Sequence, residues 1–541
     1  MSGPQTLYEA FAATAFRHAD KTFLKVPARA GRAYHPTGFM LTYGAAFDRV
    51  TDLIGRYRAA GYGPGHRVAL MLDNRPEHFL HQIALNGLGV GQVPVNPDYL
   101  AHELAYLLSH SEVDLAVCHA GHRARLTDIA DARDAPLPVC VDDNIPDVPP
   151  LPRSEARDET PGTDTEAAIV YTSGTTGHPK GCILDNSYHL TVGTWYAELG
   201  GRLTLEHGRE TLFVPLPVYH VNAGINTLTA IVLTANCLVM PDRFHPASWW
   251  RDLIETEATG FHYLGVVPPL LMKAPPSAED RAHSAKFGLG AGLDPLLHKR
   301  FEDRFGVAMV EVWGMTETGR FLADAYEPRA VETRAIGRPT DSLLARVVDA
   351  ADIDVPRGEP GELVVRAAGD DPRHGFFRGY LKNPEATETA WRGGWFHTGD
   401  VVTQDATGRL YFVERQKNII RRSGENISAA EVENELVDHD AVAQVAVLAI
   451  DDTLRDEEVM AAIVPAAGAV PSEALARSIF DASGDRLAYF KRPGWVVFVD
   501  ALPKTGTQKV QKALIFGHDE DPRDRALAFD LRSLKKRPDA A

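Results

Sequence analysis

Two short apolar runs, Ala167-Ala168-Ile169-Val170 and Cys182-Ile183-Leu184, bracket the stretch Tyr171-Thr172-Ser173-Gly174-Thr175-Thr176-Gly177-His178-Pro179-Lys180-Gly181. The flanks predict strands, so the insert must be a hairpin-like loop with four hydroxyls, three glycines and a lysine. A polyphosphate needs that mixture. Glycines let main-chain N–H groups come close, hydroxyls donate to oxygens or reach a metal, and lysine supplies charge. Ordinary surface turns share some of this composition, but the density of donors and the Pro179-Lys180-Gly181 ending argue for phosphate. A Walker loop is rejected by spacing: it needs Gly-Lys followed by Ser or Thr and an immediate helix, whereas Lys180 follows proline and a strand comes next.

A chain of 541 residues exceeds what one hydrophobic core serves, so at least two domains are expected. Hydrophobic residues at 44% and charged residues at 24% are ordinary for globular protein. A net charge of -17 argues against nucleic acid as a partner. Cys118, Cys140, Cys182 and Cys237 have neither metal-ligand nor disulfide spacing, which points to a reducing cytoplasm. The histidines show no HExxH pattern, and neither a membrane span nor a signal peptide is expected.

Up to about residue 150 helix-like and strand-like patterns alternate. Residues 6–18, 43–60 and 76–88 read as helices, and 67–72, 89–96 and 115–118 as strands, which predicts α/β architecture around a largely parallel sheet. Residues 144–165, rich in Pro, Asp, Glu and Thr, read as a solvated linker. Residues 211–220 predict a strand running out into a loop at His220, which by residue type alone is a packed histidine. Gly265, Gly288, Gly290 and Gly292 lie at further strand ends, where they admit either a ligand or tight strand packing.

A second motif is Val310-Glu311-Val312-Trp313-Gly314-Met315-Thr316-Glu317. Trp313 has a flat face for a base, Thr316 can donate to a phosphate oxygen, and Glu317 can ligate magnesium. Short strands with Gly and Pro turns from about 334 to 411 predict a barrel-like β region, closing on Gly394-Trp395-Phe396-His397-Thr398-Gly399-Asp400. Asp400 can accept both ribose hydroxyls, or satisfy itself in an Asx turn. The basic runs Arg415-Gln416-Lys417-Asn418-Ile419-Ile420-Arg421-Arg422 and Pro503-Lys504-Thr505-Gly506-Thr507-Gln508-Lys509 read by default as solvated faces. Past Gly517 the charged tail predicts a surface extension or disorder.

These motifs, in this order along nearly the whole chain, resemble the adenylate-forming superfamily of acyl-CoA synthetases, adenylation domains and luciferases, and within it the AMP-forming acid–CoA ligases. The Thr507-Gln508-Lys509-Val510 ending is similar to that of carnitine and crotonobetaine ligases. The resemblance implies a large α/β N-terminal domain of two α/β/α subdomains plus a small β-barrel over residues 1–416, and a mobile α+β cap over 417–541. It implies ATP, Mg2+ and coenzyme A as cofactors, a small-molecule carboxylic acid as substrate, with small or medium aliphatic acids, polar ones as in the carnitine and crotonobetaine ligases among them, expected first, and two half-reactions. Acid and ATP give an acyl adenylate and pyrophosphate, and a thiol then displaces AMP. Loading of a carrier protein, or a catalytically silent nucleotide-binding homologue, are the alternatives, and a homodimer is left open.

By the same resemblance, ATP and AMP are bound by Thr172, Ser173, Gly174, Thr175, Thr176, Lys180, Gly290, Ala291, Gly292, Trp313, Gly314, Met315, Thr316, Asp400 and Arg415. Glu317 and Thr176 hold the metal, and Lys509, Glu317 and His220 are the catalytic set. Lys417 is the hinge, and Ser423, Gly424 and Glu425 line the coenzyme A tunnel. The acyl pocket takes His220, Asn222, Ala223, Gly265, Gly290 and Met315, which reverses the packed reading of His220. Whether Trp195 and Tyr196 reach that pocket is left open. Asn418 stands where aspartate is common, and Gln508 where glycine is.

Overall fold

The computed structural model describes residues 3–133, 137–142, 155–172, 179–415, 418–422, 425–452, 456–484, 486–487, 489–504, 510–517 and 520–535. They form a large N-terminal α/β domain with mixed sheets and a smaller C-terminal domain. Two compact units result. One comprises Met1–Arg346, Val364–His397 and Thr407–Tyr411, and the other Val347–Leu363, Thr398–Ala406 and Phe412–Ala541.

In the first unit, a seven-stranded sheet runs in the order Gly379–Tyr380, Lys180–Asp185, Glu166–Thr172, Gly91–Pro94, Arg67–Met71, Leu115–Cys118, Val139–Val141. The strands from Glu166–Thr172 to Val139–Val141 pair in parallel, and the first two join antiparallel. The βα alternation read from sequence makes this sheet, since parallel neighbours require a helical crossover. Its helices start at recognisable signals. Thr6 Oγ1 accepts the Glu9 N–H at 3.1 Å ahead of Leu7–Arg17, and Pro76 opens Pro76–Gly87. Asp185 caps Asn186–Glu198 through the Tyr188 N–H at 2.8 Å, so the chain turns from hairpin strand to helix within one residue. Leu104, Leu107, Leu126 and Ile129 pack beneath Met71, Val93 and Ile169.

An eight-stranded sheet follows the order Leu322–Ala323, Ala308–Trp313, Phe287–Ala291, Gly260–Leu264, Thr211–Phe213, Cys237–Val239, Thr22–Val26, Phe39–Thr42. Only its two edge strands are antiparallel. Trp249, Trp250, Phe261, Phe301 and Phe305 fill one face, each phenylalanine worth about 1.5–3 kcal/mol when fully buried. The short strands beyond residue 334 form a five-stranded sheet.

The second unit is built on a six-stranded sheet in which Asp456–Pro465 pairs antiparallel with Val442–Asp452 and parallel with Trp495–Phe498. Helices Ala429–Val437 and Glu473–Ala482 are capped by Ser428 and Ser472. They lay Val432, Leu436, Ile479 and Phe480 onto Val459 and Ile463.

The tail is not a loose extension over its described residues. Ala528–Asp530 pairs antiparallel with Trp495–Phe498, and Leu531 is fully buried. Glu458, itself buried, accepts Arg422 Nε at 2.8 Å and Lys535 Nζ at 2.5 Å. A charged segment expected to be a surface extension or disordered instead supplies the second cation to a carboxylate that burial would otherwise penalise. Breaking a buried ion pair outright costs about 3–5 kcal/mol, and loss of Lys535, which leaves Glu458 with Arg422 alone, costs part of that. Lys535→Met is therefore expected to raise amide exchange along Asp456–Pro465 by at least tenfold, and unchanged exchange there would show that the Lys535–Glu458 contact contributes nothing to the sheet.

Candidate active site

Parallel strands deliver their carboxyl ends to one edge, and ligands of open α/β sheets bind there. In the eight-stranded sheet the adjacent parallel strands Thr211–Phe213, Gly260–Leu264, Phe287–Ala291 and Ala308–Trp313 do this. They run out into His220, Gly265, Gly292 and the segment Gly314 to Glu317. Residues scattered over a hundred positions are thus collected along one edge. Trp313 reaches it but is only 6% exposed, which leaves the surface to exposed Ala291, Gly292 and Gly314 and half-buried Met315 and Thr316.

The glycines at these ends answer to packing. A Cβ on Gly290 would stand 2.3 Å from the Tyr263 carbonyl oxygen, and one on Gly265 would stand 2.2 Å from that of Gly292. Neighbouring backbones approach where side chains would have to fit.

Lys180 begins the second hairpin strand, in register with Thr172. Ser173, Gly174, Thr175 and Thr176 lie outside the described residues. Gly379–Tyr380 adds to the hairpin edge with Tyr380 opposite Cys182, which places the Tyr380 ring 4.8 Å from Lys180 Nζ. The same phenol donates to Glu317 Oε1 at 2.9 Å, and the Phe377 N–H donates to the Glu317 carbonyl at 2.9 Å. Tyr380 therefore joins the lysine of the phosphate loop to the carboxylate of the second motif. Burial first, and Glu317 second, hold its phenol protonated by raising its pKa. The same two causes, in the same order, raise the Cys182 thiol, so it is no nucleophile. Tyr380 was missed in the sequence because a Gly-Tyr pair carries no chemistry until it lies beside Glu317.

On the opposite side, half-buried His220 precedes a wide helical turn, the π-helix Asn222–Thr227. Thr227 Oγ1 donates to the Asn222 carbonyl at 2.7 Å, five residues back, which suits that wide turn. Asn222 Oδ1 lies 2.7 Å from His262 Nδ1, and His262 Nε2 lies 2.9 Å from the Tyr196 hydroxyl. His262 is fully buried, and burial pushes its pKa down to about 3, so the ring is neutral. Its Nδ1–H donates to Asn222 and its Nε2 accepts from Tyr196. This chain orients the half-buried Asn222 amide. Ala223 is buried behind it, and Trp195, 6% exposed, packs edge-on to Phe321.

Glu311 was also missed. It crosses from Ala308–Trp313 to accept the N–H groups of Gly292 and Leu293, and Tyr263 donates to it at 3.2 Å. One carboxylate thus holds the turn that follows Phe287–Ala291. Burial lifts it from 4.5 to about 7, while those hydrogen bonds pull the other way.

In the second unit Asp400 is fully buried, inside Phe396–Gln404 rather than in a turn, and Arg415 Nε stands 2.8 Å from its Oδ1. The two residues expected at the ribose hold each other. Glu414 accepts Asn418 Nδ2 at 3.2 Å and the Ala430 N–H at 2.9 Å, which ties its strand to Asn418 and to the first turn of Ala429–Val437. Lys417, Ser423, Gly424 and Lys509 lie outside the described residues, and Glu425 opens the strand Glu425–Ser428.

The family model for AMP-binding enzymes matches residues 11–381, and that for the AMP-binding enzyme C-terminal domain matches 431–509. The chain belongs to the AMP-binding enzyme family. Among relatives of this AMP-binding enzyme, sulfoacetate–CoA ligase of Cupriavidus necator is 29% identical over 527 residues, covering 95% of this chain and 98% of the relative. Crotonobetaine/carnitine–CoA ligase of Salmonella paratyphi A is 29% identical over 490 residues, covering 87% and 92%. ATP-bound MatB from Rhodopseudomonas palustris superposes with a TM-score of 0.77 at 25% identity, covering 94% of this chain and 97% of that one. The AMP-binding enzyme is an AMP-forming acid–thiol ligase that uses ATP and coenzyme A. Among the described residues no helix is long and apolar enough to cross a membrane.

A carboxyl group with a raised folded pKa stabilises the fold below its ordinary 4.5 and loses that contribution as pH rises through about 7. Paired thermal melts are expected to show the melting temperature falling from about pH 5 to about pH 8 more steeply in the wild type than in Glu311→Gln. Equal slopes would clear Glu311 as the source.

Proposed function

We propose that the acid activated by this ligase is small to medium in size and carries a polar group besides its carboxylate. The observation that supports this is the Tyr196–His262–Asn222 chain, which fixes an amide beside His220 where an apolar acid would leave it unsatisfied. Sulfoacetate and carnitine, named in two relatives, each carry a charged group besides the carboxylate.

In the first half-reaction the acid's carboxylate oxygen attacks the α-phosphorus of ATP and pyrophosphate leaves. The protein's part is positioning and charge neutralisation. Lys180 and the hydroxyls of residues 172–176 hold the leaving phosphates. An oxygen-only donor set, the Glu317 carboxylate with the Thr176 hydroxyl, suits Mg2+, which supplies further neutralisation when bound. Tyr380 keeps Glu317 aimed by its 2.9 Å hydrogen bond. Lys509 bridges the two reacting anions, which would otherwise repel. In the second half-reaction the coenzyme A sulfur displaces AMP, with Ser423, Gly424 and Glu425 along its approach and the cap turned about Lys417. Four buried, unpaired cysteines fit a reducing cytoplasm.

A panel of acids in a coenzyme A ligation assay tests the substrate class. Polar short acids are expected to lead, with Asn222→Ala lowering their kcat/KM by about 10–100-fold and sparing apolar acids of equal length. An apolar acid leading the panel would overturn the proposal. Lys509→Ala is expected to abolish adenylation, read as pyrophosphate release, while leaving thioester formation from supplied acyl adenylate largely intact. Equal loss in both would end the division of labour.

A further inference from the structure

Away from these residues, three side chains of the first unit converge at the carboxyl ends of Arg67–Met71 and Leu115–Cys118. Asp73 lies two residues beyond the first strand, His119 directly follows the second, and His122 ends the short turn Ala120–His122. His119 Nε2 stands 2.8 Å from Asp73 Oδ2 and His122 Nε2 stands 3.0 Å from Asp73 Oδ1. The two rings are 4.1 Å apart, and one ligand atom from each residue lies within 4.8 Å of the others.

Topology explains why they meet. Arg67–Met71 lies between Gly91–Pro94 and Leu115–Cys118, all parallel. From the first of these strands the chain leaves through Pro76–Gly87 towards Gly91–Pro94 on one side. From Leu115–Cys118 it leaves through Arg123–Asp131 towards Val139–Val141 on the other. Diverging exits make the crevice between these two strand ends a topological switch point, the place where open α/β sheets take ligands. None of the residues assigned to adenylation stands at these two strand ends.

Two imidazoles and a carboxylate are the donor set of borderline divalent cations, above all Zn2+. Tetrahedral ligands at about 2.0–2.2 Å from such an ion stand roughly 3.3–3.6 Å from one another. The present contacts of 2.8 and 3.0 Å need only open slightly. Side-chain exposures of 33%, 22% and 21% for Asp73, His119 and His122 provide an entry path and an open fourth position. One contact opposes loading. The Gly121 N–H donates to His119 Nδ1 at 3.0 Å, which keeps that ring's proton on Nε2, so binding requires the proton to leave Nε2 and the Gly121 contact to be given up. The site is also tied to the acyl side. Asn74, next to Asp73, donates to the Leu216 carbonyl and accepts the Val218 N–H, both at 3.0 Å, in the segment leading to His220.

We propose that Asp73, His119 and His122 bind one divalent transition-metal cation of the Zn2+ type at this crevice, separate from the metal that accompanies ATP. The test is titration of untagged, chelator-stripped full-length protein with Co2+ and then Zn2+. The expected result is one equivalent of Co2+ with tetrahedral visible bands, displaced by Zn2+, and an affinity at least tenfold weaker in Asp73→Asn, His119→Gln and His122→Gln. Thermal melts without metal show that each variant is folded, and the double variant His119→Gln/His122→Gln stands in for any single one that is not. Absence of a Co2+ spectrum together with absence of Zn2+ binding, or Zn2+ affinity unchanged in the variants, would overturn the proposal.

Discussion

Parallel strands end together, and the arrangement of functional groups in the first unit follows from that constraint. A strand paired in parallel must be followed by a crossover that brings the chain back to the start of its neighbour, so every loop on the carboxyl edge faces the same way. In the eight-stranded sheet this collects His220, Gly265, Gly292 and Glu317. In the seven-stranded sheet it collects Asp73 and His119. Neither set is close in sequence.

A parallel edge alone does not aim side chains, and buried polar contacts supply the aim. Tyr380 is pinned as an extra antiparallel edge strand, so its ring lies beside Lys180 while its hydroxyl meets Glu317. His262 is kept neutral by burial and so can donate to Asn222 while accepting from Tyr196. Glu311 spends its carboxylate on the backbone of the turn after Phe287–Ala291. Each of these groups is costly to bury alone and acceptable once its partner is in place. The second unit repeats the pattern with Glu458, which takes cations from a strand and from the tail.

Much of the architecture was legible because it rests on local pattern. Helices near residues 7–17, 43–59 and 76–87 fall within a residue or so of their expected bounds, since apolar spacing and capping residues are local quantities. The Leu115–Cys118 strand was read as it stands. Charge misled the reading of the tail, because a run of Asp, Lys and Arg looks the same whether it faces water or finds buried partners. Residues 211–220, read as one strand ending in a loop, give only Thr211–Phe213 in the sheet, and the wide turn at Asn222 left no mark in the apolar pattern.

The amino-acid sequence by itself determined the chemistry available. Its phosphate hairpin, the Trp313-Gly314-Met315-Thr316-Glu317 segment and the motifs around Asp400 and Lys509 identify an adenylate-forming ligase, because such functions need particular donors at short spacings. Only the tertiary structure decided which unremarkable residues serve those donors. Tyr380 and His262 belong to no motif, Glu311 and Glu414 only adjoin the motif positions that were given a chemical role, and their roles arise from contacts that span between 4 and 66 residues of chain. Burial turned a tyrosine into a fixed donor and a histidine into a neutral relay, and burial is a property of the packed chain that no local spacing encodes.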